Sequence, residues 1–360
     1  MDEKEIKIKN LMKENGLEAL LLGTRANFLW ATGGKRNDVI KNEDTCLAYL
    51  FFTENSKYLI ASSSDMDRIK EEELFGLGFE TVTYNWYDQS FADAIKKIGN
   101  YTKIGNDFYH QGFLNIEGKL AKERINLSST EIEKISRLCR EYTRIFTDFC
   151  QGLKKGEKEN EIAAELNYIC SKAKINLPVL MVGSDNRIYK YKHPVPTDKK
   201  IDKYVLIATV AERDGLNASI SRSIYFGDPP KGLIERIKAV NYIESFYYSC
   251  SNPGQALGNI INKGKEIYSK LGYSGQWEKH TQGGLIGYKP REFLATQGSN
   301  IKISPGNALS WNPTLEGAKA EDMILVKDEG INQLSIDKRW PYEEIKIEGI
   351  NYLKPELLLI

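Results

Sequence analysis

The apolar positions of the first 125 or so residues change period several times. "EIKIKNLMKENG" spaces them for a helix that stops at Gly16, whereas "LEALLLG", "TCLAYLFF" and "KYLIAS" are short apolar runs of the kind that fill buried strands. A further helix is predicted from about Asp65 to Phe75. Helices and strands in alternation predict an α/β domain with a mixed sheet. The polar stretch "ATGGKRNDVIKNEDT" between the first two strands is long enough to be suspected of function.

A different pattern begins near Asn126. Ser128 and Glu131 form the S-x-x-E signature of a helix start. Ile132, Ile135, Leu138, Tyr142, Ile145 and Phe149 then mark a single helical face. We place the boundary here, giving domains 1–126 and 127–360. The second domain repeats a plan: "FCQGLKKGEKENEIAAELNYICSKAKI" and "SCSNPGQALGNIINKGKEIYSKLGY" each carry a helix, a turn at Gly156 or Gly254 and a second helix. Strand signals follow each copy, which predicts a pseudo-symmetric α+β domain with a cleft between its halves.

Composition narrows the function classes. The 50 Lys and Arg against 49 Asp and Glu leave a net charge of +1 without a basic block, which argues against nucleic acid as a partner. The start of the chain reads as a charged amphipathic helix and not a leader, and no run of about 18 apolar residues predicts a membrane span. Five scattered cysteines, including Cys46 and never in C-x-x-C spacing, fit reduced thiols of a cytoplasmic protein.

Few residues offer chemistry. His193 stands in "YKYKHPVPTDKK", where Pro194 biases it to extended geometry; it is either an acid/base catalyst or a turn histidine bonded to a carbonyl. His280 opens "HTQGGLIGYKPRE", whose Gly283, Gly284 and Gly287 permit close backbone approach, although they also suit a tight strand crossing. Arg291 in the same stretch offers a planar fork for a carboxylate. Glu321 and Asp322 open a strand, so only one of them can face a cleft. Lys35 and Arg36 in "GGKRN" could meet an anion or form an exposed basic turn.

These segments, with "ISPGNALSWNPTLEGAKAEDMILVKDEG", resemble the creatinase / aminopeptidase P family, the pita-bread peptidases that include prolidase and methionine aminopeptidase. The resemblance covers nearly the whole chain and implies an α/β creatinase-type amino-terminal domain followed by an α+β pita-bread domain. It also implies five metal ligands. The family's first Asp falls at Ala208, its second at Ser219, its loop ligand His at Gly284 and the Glu of its E-P pair at Asn312. The final Glu is present as Glu321. One carboxylate does not hold two divalent ions, so the expectation is no metal centre and no cofactor. Creatinase, a metal-free member, is similar in more detail: its catalytic His matches His193, its loop His matches His280 and its carboxylate-binding Arg matches Arg291. Its two guanidinium-binding carboxylates align with Ser221 and Asn312, which makes creatine itself a poor candidate.

The resemblance therefore implies a metal-free hydrolase or lyase acting on a C–N bond of a small carboxylate-bearing molecule. His193 would be the acid/base and His280 would orient the substrate, with Glu321 the remaining carboxylate of the catalytic set. Arg291 would anchor the carboxylate, and Ser219, Ser221 and Asn312 would read a polar uncharged group. In a homodimer, Arg36 from a neighbouring subunit would help to close the site. Two alternatives stay open. One is a non-catalytic pseudopeptidase, for which a histone chaperone subunit gives precedent, and the other an Xaa-Pro aminopeptidase or dipeptidase with a degenerate site.

Overall fold

The apolar runs near the amino terminus pair with one another into a six-stranded sheet. In the computed structural model, which describes residues 3–41 and 43–360 and only the backbone of Cys46, the chain divides into two compact units, Met1–Ile125 and Asn126–Ile360. In the first unit the strand order is Glu80–Tyr84, Lys57–Ser62, Thr45–Thr53, Ala19–Thr24, Ile104–Asn106 and Leu114–Asn115. Ala19–Thr24 runs antiparallel to Thr45–Thr53 and parallel to Ile104–Asn106, so the sheet is mixed as expected. Leu21, Phe51, Ile60 and Ile95 lie in its core. The helix expected after Asp65 is a single turn, Met66–Arg68, continued by a π-turn over Ile69–Glu73. Only Met66, Ile69 and Leu74 are buried in that stretch, too few to anchor a longer amphipathic face.

The second unit opens with the helix Ser129–Gln151. Its capping box is formed: the Ser128 hydroxyl accepts from the Glu131 amide, and the Glu131 carboxylate accepts from the Ser128 amide. The expected repeat is visible in the backbone. Helix pairs Ser129–Gln151 with Glu159–Lys172, and Lys231–Cys250 with Leu257–Lys270, turn through Gly156 at φ 92° and Gly254 at φ 85°. Single β-bridges at matching places, Lys158 to Lys200 and Ala256 to Lys302, tie each second helix to its half.

Each half then contributes a sheet. The first orders Leu358–Leu359, Leu216–Tyr225, Tyr204–Arg213 and Asn176–Ser184; the second orders Phe293–Leu294, Gly283–Ile286, Ala308–Trp311, Asp322–Val326 and Ile331–Gln333. The Ser221 amide donates to the Glu321 carbonyl at 2.9 Å, and the Asn217 amide to the Gly287 carbonyl at 2.9 Å, so the two sheets are joined along one seam. Cys139, Cys150, Cys170 and Cys250 are free thiols. Among the described residues no helix is long and apolar enough to cross a membrane.

Candidate active site

A cavity of about 290 Å³ opens beside that seam, at the small end of ligand pockets. His193, Arg291, Asn312 and Glu321 line it together with Lys319, Val179, Met181 and Val210. Most of the residues singled out in the sequence thus converge on one place from segments far apart in the chain.

His193 is held there by its loop. A Cβ at Gly183 would lie 2.5 Å from the Pro194 ring, so the glycine in that strand is what lets the proline seat against the sheet. Arg187 Nη2 donates to the Val195 carbonyl at 2.8 Å and the Thr197 amide to buried Glu159 at 3.0 Å, pinning the residues that follow. His193 remains exposed at the mouth of the cavity. His280, by contrast, is buried. Its carbonyl accepts from Gln282 Nε2 at 2.8 Å, while Gln282 Oε1 accepts from Tyr247 at 3.1 Å and Tyr268 at 3.0 Å.

The two imidazoles meet, Nε2 to Nε2, at 3.2 Å. Their tautomers follow from the neighbours. The Thr314 hydroxyl donates to the Asn312 carbonyl at 3.1 Å, so its oxygen accepts from His280 Nδ1–H at 3.3 Å. His280 Nε2 is then the acceptor and His193 Nε2–H the donor, which leaves His193 Nδ1 as the lone pair able to take a proton. Burial first, then the charges of Lys319 and His193, lower the His280 pKa from the ordinary 6.5 to about 3. Burial and Lys319 also lower that of His193. Both rings are neutral at pH 7, and only the one at the rim exchanges protons readily with solvent.

Glu321 faces the cavity and Asp322 the opposite side, as alternation along a strand requires. One Glu321 oxygen accepts from Arg291 Nη2 at 2.9 Å and from Ser310 Oγ at 3.4 Å; the other meets Lys319 Nζ at 2.9 Å. Burial would raise the Glu321 pKa, but Lys319 and Arg291 more than offset it and hold the group ionised. Two fixed cations against one carboxylate leave the cavity with an excess of one positive charge.

A polar shelf lies beside the cavity on the same sheet face. Val179 pairs with Val210 and Met181 with Ala208; across the next strand pair, Val210 faces Ser219 and Ala208 faces Ser221. Directly paired residues share a face of a sheet, so Ser219 and Ser221 lie on the face that Val179, Met181 and Val210 present to the cavity. Ser219 Oγ, Ser221 Oγ and Asn312 Oδ1 are buried without a hydrogen-bond partner. Arg36 lies in the other unit, where its guanidinium donates to Asp38 at 2.9 Å. Lys319, Thr314 and Gln282 were missed in the sequence. Lys319 had a signal, standing two residues before Glu321 and hence on the same face.

The five positions that the resemblance assigns to metal ligands do not make a donor set for two ions. Ala208 has no donor atom. Gly284 adopts φ 150°, and a Cβ there would sit 2.2 Å from the Phe293 carbonyl oxygen, so the backbone admits no ligand side chain. Ser219 and Asn312 are neutral, and both oxygens of Glu321 are engaged by cations. Among the described residues no cluster of three or more His, Cys, Asp or Glu side chains could hold a metal ion.

Fold and cleft define a pita-bread protein with a creatinase-type amino-terminal domain, and comparison with known sequences agrees. Residues 133–328 match Metallopeptidase family M24, and residues 6–140 match the Creatinase/Prolidase N-terminal domain. The chain belongs to family M24. It is similar to Xaa-Pro dipeptidases of Pyrococcus horikoshii (22% identical, spanning 94% of this chain and 98% of that one) and Pyrococcus furiosus (24%, spanning 94% and 99%). Among solved structures it is similar to the X-Pro aminopeptidase from Thermotoga maritima, with a TM-score of 0.80, 20% identity and 100% of both chains covered.

Proposed function

We propose that this chain is a hydrolase that cleaves the C–N bond of a small carboxylate-bearing molecule, using its histidine pair and no two-metal centre. An Xaa-Pro dipeptide is such a molecule, and the names of the relatives make it the first substrate class to test. The observation that carries the reading is the charge balance of the cavity. Arg291 and Lys319 face the single carboxylate of Glu321 beside a neutral His193–His280 pair. The surplus positive charge attracts an anion, and Arg291 is the partly exposed cation that can reach its carboxylate. His193 Nδ1 takes a proton from water as it attacks and later returns it to the leaving nitrogen. His280 and Thr314 hold the His193 ring in the required tautomer. Arg36, paired with Asp38 in its own unit, would enter only from a neighbouring subunit, and this mechanism does not require it.

The relatives' names favour a second reading, a metal-dependent Xaa-Pro dipeptidase with ligands at other positions. One experiment separates the two. Purified protein is analysed for metals and assayed on Gly-Pro with and without a chelator. Chelator-resistant turnover, reduced on the order of 100-fold or more in His193→Ala, supports the proposal. Two equivalents of bound metal with chelator-sensitive turnover establish the second reading instead. If Gly-Pro raises the melting temperature but is not cleaved, the cavity is a binding site and the hydrolase proposal fails.

A further inference from the structure

Lys319 is the least explained charge in the cleft. Its side chain is 3% exposed, yet it borders the cavity, and among the described residues its only ion-pair partner is Glu321 Oε2 at 2.9 Å. An ammonium has three N–H donors. One is directed at Glu321, and no described residue accepts from the other two. Buried N–H donors of an ammonium left without acceptors are costly, and native proteins rarely leave them so without a use. Asn312 Oδ1 on the same lining, and Ser219 Oγ and Ser221 Oγ on the adjoining sheet face, are all buried and all unpartnered. Unspent donors and acceptors concentrated around one small cavity indicate a ligand that completes them.

The group able to use an ammonium here is an oxygen bearing, or acquiring, negative charge. We propose that Lys319 is a catalytic residue: its ammonium binds the carbonyl oxygen of the scissile C–N bond and holds the oxyanion that forms when water adds. In that step, water oxygen bonds to the carbonyl carbon as its proton passes to His193, and the carbonyl π pair moves onto the oxygen beside Lys319. Collapse then expels the amine, which takes the proton back from His193, so the products are one carboxylic acid and one amine. Glu321 fixes Lys319 in place. Arg291, on the other Glu321 oxygen, is left for the substrate's own carboxylate. Lys319 thus supplies an electrophile from the protein in a cleft whose assigned ligand positions do not fit a metal pair.

This inference rests on the hydrolase reading above, and the test separates the two. Gly-Pro hydrolysis is compared in wild type, Lys319→Gln and Lys319→Met, with Lys319→Arg as the conservative replacement. Gln keeps a hydrogen bond to Glu321 without the charge, which guards against a variant that does not fold. Loss of one oxyanion donor is expected to lower kcat by about 100-fold or more, with a smaller rise in KM from the lost ground-state contact and charge. Arg should recover part of kcat, and removal of the positive charge should move the acidic limb of the pH profile upward. Wild-type turnover with unchanged kcat in folded Lys319→Gln overturns the role of Lys319 and leaves the hydrolase reading intact. Absence of turnover in the wild type overturns both. A binding comparison adds a readout independent of rate: wild type should prefer Gly-Pro over its reduced analogue, in which CH2 replaces the carbonyl, and Lys319→Gln should lose that preference. Equal preference in the two proteins overturns the inference.

Discussion

Two polar clusters occupy opposite faces of the same strands, and they are built on different principles. On the cleft side stand Ser219, Ser221, Lys319 and Glu321; behind them, offset by one residue, stand Arg222 and Asp322. The rear cluster is closed. Arg222 donates to both Asp322 oxygens, at 3.1 and 3.0 Å, and to the Ser335 carbonyl at 3.1 Å. Ser335 Oγ adds a 2.6 Å bond to Asp322, and Glu244 accepts from the Asp322 amide at 2.9 Å. Fully buried Lys354 is bonded to Glu244 and reaches Tyr248 at 3.2 Å. Its charges are paired and their hydrogen-bonding capacity is largely used. The cleft cluster keeps several polar atoms unspent. Buried polar groups that satisfy one another hold a fold together, whereas unsatisfied ones beside a cavity lined by charged side chains are available to a ligand.

The comparison is broken most directly from the rear. Lys354→Met strands Glu244 beside Asp322 in a dry environment and should cost about 3–5 kcal/mol, read from denaturant unfolding. Turnover per folded molecule should stay close to wild type, because nothing in the cleft touches Lys354. A comparable loss of kcat in a folded Lys354→Met protein would show that the two faces are not separable.

His280 gives a smaller, pH-dependent effect. Its folded pKa is depressed to about 3, whereas in the unfolded chain it titrates near the ordinary 6.5. Between those values the unfolded state binds the extra proton, so stability falls as pH drops from about 6.5 toward 3. The contribution of this one group should be roughly 3 kcal/mol by pH 4. Unfolding of wild type and His280→Gln across that window should show a shallower acid dependence in the variant; parallel curves would mean the imidazole is not the responsible group.

The smallest effects belong to the shelf, and their sign sharpens the contrast. Ser219→Ala or Ser221→Ala removes a buried hydroxyl that has no partner, so each should leave stability unchanged or raise it by up to about 1 kcal/mol. The same changes should weaken binding of the cleft's ligand. A loss of stability on truncation would assign these hydroxyls to the structural class that the rear cluster represents.

Much of this arrangement was legible beforehand. The capping box at Ser128 and Glu131, the glycine turns of the repeat, and the alternation that separates Glu321 from Asp322 are local rules, and each holds in the structure. Candidate residues His193, His280, Arg291 and Glu321 were nameable because such side chains in motif-like settings stand out, whereas Ser219, Ser221 and Asn312 were named only through the resemblance. The clustering of these residues was carried only by resemblance.

The sequence by itself determined the α/β and α+β units, the repeat, and the missing donors at Ala208 and Gly284, because period, turn chemistry and residue identity are local properties. Tertiary structure alone decided that His280 stays neutral, that His193 keeps the free lone pair, that Lys319 shares Glu321 with Arg291, and that no side chain fits at position 284. Those outcomes depend on burial and on distances between distant segments, which no stretch of sequence contains.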